Sequence, residues 1–182
     1  IMDVTPTPAV VNMIKYPMAG QTSHEVRVAV YNISTGDAVF LKTGEPKDQY
    51  LTNICWDPSE KFIYIAHLNR DQNHLRYIKY DAATGEPVKI LFEEQNDKYV
   101  EPMTPAVFVP TDPDKFLWLS RRDGWNHFYL YNTDGKLLKQ VTSGEWEVNY
   151  FVGFHYQGEK FFFISNKDEI PGIHLYSADI KK

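Results

Sequence analysis

The feature that most constrains the fold is an internal repeat that begins near residue 50 and runs to the end of the chain. A Lys-Phe pair begins at 61, 115 and 160, a basic-Asp pair at 70, 122 and 167, and a histidine lies at 74, 127 and 174. Successive landmarks are separated by 45 to 54 residues. A repeat of this length, with four short apolar segments in each unit, is typical of β-propeller blades.

The residues between the apolar segments indicate hairpins. Asp57-Pro-Ser-Glu60 and Asp112-Pro-Asp-Lys115 are predicted turns, because proline presets the backbone angle that such turns need. Ser34–Asp37, Ala83–Glu86 and Thr133–Lys136 each place a glycine between apolar segments, which is a hairpin signal. No window of a dozen residues keeps the apolar spacing of a helix. We therefore predict an all-β chain with little helix.

The predicted fold is an all-β fragment of a β-propeller, with two full four-stranded antiparallel blades and partial blades at both ends. We treat 1–182 as a single partial propeller domain, whose parts are an extended lead-in (1–23), a half blade (24–43), two full blades (50–93 and 102–143) and an incomplete blade (148–182). Because propeller rings have at least four blades, we expect an arc cut from a larger ring. The sequence begins at Ile1 and not at an initiator methionine, which also suggests a processed or cut segment, and no signal-peptide pattern follows.

Composition excludes several classes of function. A net charge of −5 without a long Lys/Arg run argues against a nucleic-acid partner. No apolar run is long enough to span a bilayer, so we expect no membrane contact from this segment. A single cysteine, Cys55, excludes an internal disulfide and a multi-cysteine zinc site. It lies in a predicted strand, where a small buried hydrophobe is the favoured role and a nucleophile is the alternative.

The recurring polar residues favour structural roles. His74, His127 and His174 fall once per unit, so they would lie on different blades, too far apart to share a metal ion. We expect each to make a hydrogen bond within its blade, and we predict no metal site and no cofactor. The basic-Asp pairs could form a charged binding ring, but their position after the second strand of each unit predicts turns.

Four short motifs resemble the N-terminal propeller of the dipeptidyl peptidase IV family of serine peptidases, and bacterial members in particular. They are Tyr16–Gly20, Ser120–Tyr131, Thr142–Val148 and Phe163–Asn166. The motifs occur in the family's order and cover nearly the whole chain. The resemblance implies a parent enzyme in which an eight-bladed propeller caps an α/β-hydrolase domain and dipeptides are released after Pro or Ala. It also implies a periplasmic or secreted location.

The resemblance places no catalytic residue in this chain. The family's serine elbow, Gly-x-Ser-x-Gly, occurs nowhere in the sequence. Its Glu-Glu motif, which binds the free amine of the substrate, follows a Trp-Val segment. Glu93-Glu94 does not, so we predict a solvated strand end there.

The resemblance does suggest candidates for the substrate cavity. A family loop that faces the cavity maps onto residues 100–105, which makes Glu101, Met103 and Thr104 the candidates. The family's best-known member has an aromatic residue and an arginine where this chain has Met103 and Thr104. An ordinary loop between blades is the alternative interpretation.

Two functions follow as hypotheses. In the first, the chain is a non-catalytic part of a dipeptidyl peptidase that shapes the substrate chamber and its entry. Its partners would be the peptide substrate and the hydrolase domain of the same parent chain, and exposed blade faces would promote self-association. In the second, the chain belongs to a non-enzymatic propeller that binds proteins or carbohydrates.

Overall fold

Each repeat unit folds as an antiparallel meander in which every strand pairs with the next along the chain. The computed structural model describes residues 1–16, 18, 20–169 and 171–181. The strands within these residues are β1 (Met2–Asp3), β2 (Val10–Val11), β3 (Ala29–Tyr31), β4 (Ala38–Phe40), β5 (Tyr50–Trp56), β6 (Phe62–Leu68), β7 (His74–Asp81), β8 (Pro87–Gln95), β9 (Val107–Val109), β10 (Asp112–Ser120), β11 (His127–Asn132), β12 (Leu137–Gln140), β13 (Val148–Phe154), β14 (Lys160–Ser165) and β15 (His174–Asp179).

The strands form five sheets. Two have four strands, in the orders β5-β6-β7-β8 and β9-β10-β11-β12. A two-stranded sheet (β3-β4) precedes them and a three-stranded sheet (β13-β14-β15) follows. The described residues include no helix, and therefore none long and apolar enough to cross a membrane. The predicted fold class is confirmed: two full blades lie between partial ones. Within the predicted lead-in, β1 and β2 pair as a further small sheet.

The core consists of three apolar clusters, one at each junction between neighbouring sheets. Consecutive residues of β6 alternate between two of them, since successive strand side chains point to opposite faces. Ile63 and Ile65 pack with Leu41 and Val30 of the preceding unit. Tyr64 packs with residues of the following sheet, among them Trp118. Both faces of each full sheet are thus buried, as propeller blades require.

The repeat alignment needs a correction of one residue in the first full unit. Phe116 and Phe161, the aromatic residues of the second and third Lys-Phe pairs, pack against the sheet that precedes their own. Phe62, from the first pair, packs toward the sheet that follows. Because a shift of one residue turns a strand side chain to the opposite face, Phe62 is not the spatial equivalent of the other two.

The same offset affects the histidines. His127 pairs with Ser120 at the end of β10, and His174 pairs with Ser165 at the end of β14. At the end of β6, Leu68 pairs with Leu75. Leu75 therefore occupies the position that His127 and His174 have in their sheets, and His74 lies one residue before it. The sequence period is correct, but His74 does not occupy the same place in its blade as the other two histidines.

Most predicted turns are confirmed. Gly36, Gly85 and Gly135 have φ of 79°, 74° and 83°, the left-handed conformation that their hairpins need. The Asp57 carboxylate accepts hydrogen bonds from the main-chain amides of Ser59, Lys61 and Phe62, at 3.2, 3.0 and 2.8 Å. These bonds close the β5–β6 turn.

The turn predicted at Asp112–Lys115 is wrong. These residues already belong to β10, and Val109 pairs with Asp112 directly across Pro110 and Thr111. The next pair is Phe116 with Phe108, so the strand bulges between the two pairs. Pro113 is tolerated in this strand because the bulge removes its position from the hydrogen-bond ladder.

Candidate functional site

Residues 96–106 join the two full sheets, and we call them the connecting segment. It includes the loop 100–105 that the sequence predicted to face the substrate cavity. It is held to the first full sheet by three hydrogen bonds. The amide of Asn96 donates to the carbonyl of Asn73 at 3.0 Å, and that of Val100 donates to Gln72 at 2.7 Å. The side-chain amide of Asn53 donates to the carbonyl of Thr104 at 2.5 Å. The connecting segment is therefore held in a defined conformation against the first full sheet.

A cavity of about 440 Å³ lies between the connecting segment and the β10–β11 loop. One wall comes from the end of β8 and the connecting segment, and the other from the loop that follows β10. The lining includes Glu94, Tyr99, Glu101, Arg121, Arg122 and Gly124. Acidic and basic groups thus face each other across it. The volume of this cavity is within the range of ligand-binding pockets in proteins.

The structure separates the three candidate residues. Glu101 is exposed and lines the cavity. Met103 is half exposed outside the cavity lining. Thr104 is partly buried, and its carbonyl serves as the acceptor for Asn53. Contact of these residues with a substrate stays a prediction.

The prediction of a solvated Glu93-Glu94 strand end is wrong for Glu94. Glu93 is exposed and bonds His74 at 2.6 Å, but the Glu94 side chain is only 11% exposed. Its carboxylate accepts from Trp118 Nε1 at 2.7 Å, from Ser120 Oγ at 2.8 Å and from Arg122 Nη2 at 2.6 Å. All three donors belong to the next sheet or its loop. Sequence reasoning missed this because the partners are remote along the chain.

Arg122 completes this cluster. Its Nη1 donates to Tyr131 Oη at 2.5 Å, its Nε donates to Ser120 Oγ at 3.1 Å, and its guanidinium lies 4.3 Å from the Tyr129 ring centroid. Burial is the largest single effect and opposes the charged form, but Glu94 and Tyr131 together outweigh it, and the pKa of Arg122 is raised. The predicted turn at Arg122-Asp123 is confirmed, yet the arginine also bridges two sheets.

Cys55 is partly buried against the core, with Sγ 3.4 Å from Tyr77 Oη. Burial raises the pKa of the Cys55 thiol, which lowers the fraction of thiolate. Because the thiolate is the reactive form, the environment favours the packing role over the nucleophile.

The histidines have structural partners. His127 is fully buried, with Nδ1 3.1 Å from Thr142 Oγ1 and Nε2 2.9 Å from the carbonyl of Gly144. His174 lies 3.6 Å from Glu169. Within the part of the chain that the structure describes, no group of three or more His, Cys, Asp or Glu side chains could hold a metal ion.

The motifs behind the family resemblance also carry structural contacts. In the third motif, Glu147 bonds Arg121 at 2.5 Å and the amide of Asn126 at 3.0 Å, while Trp146 packs edge-on against His127. In the first motif, Pro17 and Ala19 lie outside the described residues.

The comparisons with known proteins agree with the fold. The family model for the dipeptidyl peptidase IV N-terminal region matches residues 1–182. A crystal structure of a protein assigned as a dipeptidyl aminopeptidase IV from Bacteroides ovatus is 39% identical, with a TM-score of 0.86, over 100% of this chain and 28% of that chain. Porphyromonas gingivalis dipeptidyl peptidase 4 is 25% identical, with a TM-score of 0.80, over 92% of this chain and 24% of that chain.

A curated relative, assigned as dipeptidyl-aminopeptidase B in Emericella nidulans, is 27% identical over 91% of this chain and 20% of its own length. The chain thus spans about a quarter of the proteins that it matches. The match of the family model over all 182 residues, together with the propeller sheets, shows that this chain belongs to the dipeptidyl peptidase IV N-terminal region family.

Proposed function

We propose that the chain forms part of the substrate-chamber wall of a serine-type dipeptidyl peptidase that releases X-Pro or X-Ala dipeptides. In this proposal, residues 1–182 are a single partial propeller domain, and an α/β-hydrolase domain in the same parent chain supplies the chemistry. The parent would be periplasmic or secreted. The observation that carries the proposal is the anchored connecting segment with its cavity, found in a chain of this family.

In this proposal, the chain by itself has no catalytic activity. Acyl transfer from a peptide needs an activated nucleophile together with its base and an oxyanion hole. The sequence lacks the serine elbow, and its one cysteine is packed against the core with a raised pKa. The chain would therefore act on catalysis through shape and charge.

The geometry of the connecting segment supports a role as a chamber wall. Hydrogen bonds at Asn96, Val100 and Thr104 hold it in place before any ligand arrives. A preformed wall binds a flexible peptide with less ordering cost than a mobile loop would. Glu101 and Tyr99 would present a carboxylate and an aromatic ring to the peptide.

The exposed face of the last sheet supports self-association of the chain. In β10 and β11, Leu117 and Phe128 are covered by Phe163 of the next sheet. In the last sheet, Tyr150, Val152 and Leu175 are 51%, 52% and 61% exposed. Exposed apolar side chains grouped on one sheet form a surface that other protein tends to cover.

The test compares the chain with the parent protein, using a Gly-Pro chromogenic substrate and a hexapeptide with Pro at its second position. The parent should release the N-terminal dipeptide, and the chain alone should show no turnover. Substituting Glu101→Ala in the parent should change KM for the hexapeptide. Turnover by the isolated chain would contradict the prediction that it is catalytically inactive. A parent without peptidase activity would instead favour the non-enzymatic binding platform.

A further inference from the structure

We propose that Glu94 is a positioning residue that fixes the two walls of the cavity relative to each other and so sets where the connecting segment meets a peptide. The inference rests on the proposed function, because it assumes that the cavity faces the substrate. Glu94 would act through its partners in the neighbouring sheet and not through a reacting atom.

Glu94 lies where the first full sheet passes into the connecting segment. It is the next-to-last residue of β8, two residues before the connecting segment begins. Its carboxylate reaches across the junction between sheets to Trp118, Ser120 and Arg122. A displacement of the carboxylate would therefore move the start of the connecting segment relative to the β10–β11 loop.

The partners of Glu94 are themselves held in place by packing and hydrogen bonds. Trp118 and Ser120 are buried, and the Trp118 ring lies 4.6 Å from that of Tyr77. Arg122 is held from the other side by Tyr131. Charge-assisted hydrogen bonds to such partners are short and strongly oriented. The carboxylate is thus bound to a fixed wall.

The connecting segment is anchored to both full sheets. Asn53, Gln72 and Asn73 tie the connecting segment to the first full sheet. Glu94 ties its start to the second sheet, on the opposite side of the cavity. The Glu94–Arg122 pair therefore controls the separation between Glu101 on one wall and Arg121 on the other.

The experiment places Glu94→Ala in the parent protein and measures hexapeptide cleavage. We expect KM to rise about 5- to 10-fold with kcat unchanged, because the hydrolase chemistry is untouched while the wall is displaced. Glu94→Gln keeps an acceptor for Trp118 and should restore most of the wild-type KM. The control is Glu86→Ala, which removes another ion pair between units, with Lys42, at an exposed position. Glu86→Ala should leave KM and kcat unchanged.

Hydrogen exchange of the chain itself gives a second readout. In Glu94→Ala, the amides of Asn96 and Val100 should exchange faster while those of β6 and β7 stay protected. Faster exchange throughout both sheets would show a general structural role and overturn the inference, as would equal KM values for Glu94→Ala and Glu86→Ala. If the wild-type parent cleaves no peptide, the proposed function fails, and the exchange pattern still decides whether Glu94 positions the segment.

Discussion

Gly135, in the β11–β12 hairpin, lies so close to Leu91 of the preceding sheet that a Cβ atom there would stand 2.1 Å from the Leu91 carbonyl oxygen. The same contact occurs one unit earlier. A Cβ on Gly85 would stand 2.3 Å from the carbonyl oxygen of Phe40, and the amide of Lys42 donates to the Gly85 carbonyl at 2.8 Å. Both hairpin glycines therefore serve the turn and the junction between sheets.

Substituting Gly135→Ala should destabilise the chain by about 3 kcal/mol, from a left-handed backbone and a steric clash with Leu91. The matched control is Gly44→Ala. Gly44 also has a positive φ, but a Cβ there would meet nothing within 4 Å, so this variant should lose only about 1 kcal/mol of stability. Urea unfolding followed by circular dichroism measures the difference. Equal losses for the two variants would show that the contact with Leu91 is unimportant.

The buried His67 should make stability depend on pH. It is 2% exposed, with Nδ1 2.9 Å from Gln49 Oε1 and Nε2 3.0 Å from Tyr80 Oη. Burial, with a smaller contribution from Arg76, lowers the pKa of His67 to about 4. The unfolded chain therefore binds a proton more readily between about pH 6.5 and 4. The free energy of unfolding therefore keeps its full value above this window. It falls by up to about 3 kcal/mol as the pH decreases through the window.

The control for this effect is His67→Gln, because glutamine can hydrogen-bond to Gln49 and Tyr80 but does not titrate. The measurement is the free energy of unfolding of both proteins at pH 7 and pH 5. The wild type should lose more stability between these values than the variant. Parallel losses would mean that other groups account for the acid sensitivity.

Arg122→Leu should destabilise the chain by about 3–5 kcal/mol, since it leaves the Glu94 carboxylate buried without its cation. The double variant Glu94→Leu/Arg122→Leu removes both charges and should recover part of that loss. Chemical denaturation of the two single variants and the double variant forms a complete cycle. Additive losses would contradict a direct coupling between Glu94 and Arg122.

The exposed face of the last sheet should drive self-association. We expect size exclusion with light scattering to show dimers or larger species of the chain, and Leu175→Lys to shift the distribution toward monomer. The control is Ile33→Lys, at a 90% exposed position in the β3–β4 hairpin. A wild-type monomer at all concentrations would contradict the expectation.

Local signals in the sequence predicted much of the fold. The hairpins at Gly36, Gly85 and Gly135 follow from glycine's access to positive φ, a property of the residue itself. The turn at Asp57 follows from a side chain that bonds its own main chain. The repeat also identified the sheets, because each must bury both faces against similar neighbours.

The sequence by itself determined the class of fold, the strand order and the absence of a serine elbow, since these depend on local propensity, periodicity and motif. Only the tertiary structure decided which face Phe62 presents, where β10 begins and what Glu94 binds. Strand register depends on packing against both neighbouring sheets, and a slip of one residue reverses every side chain. Glu94 and Arg122 are joined because two sheets pack face to face, and no spacing along the chain encodes that junction.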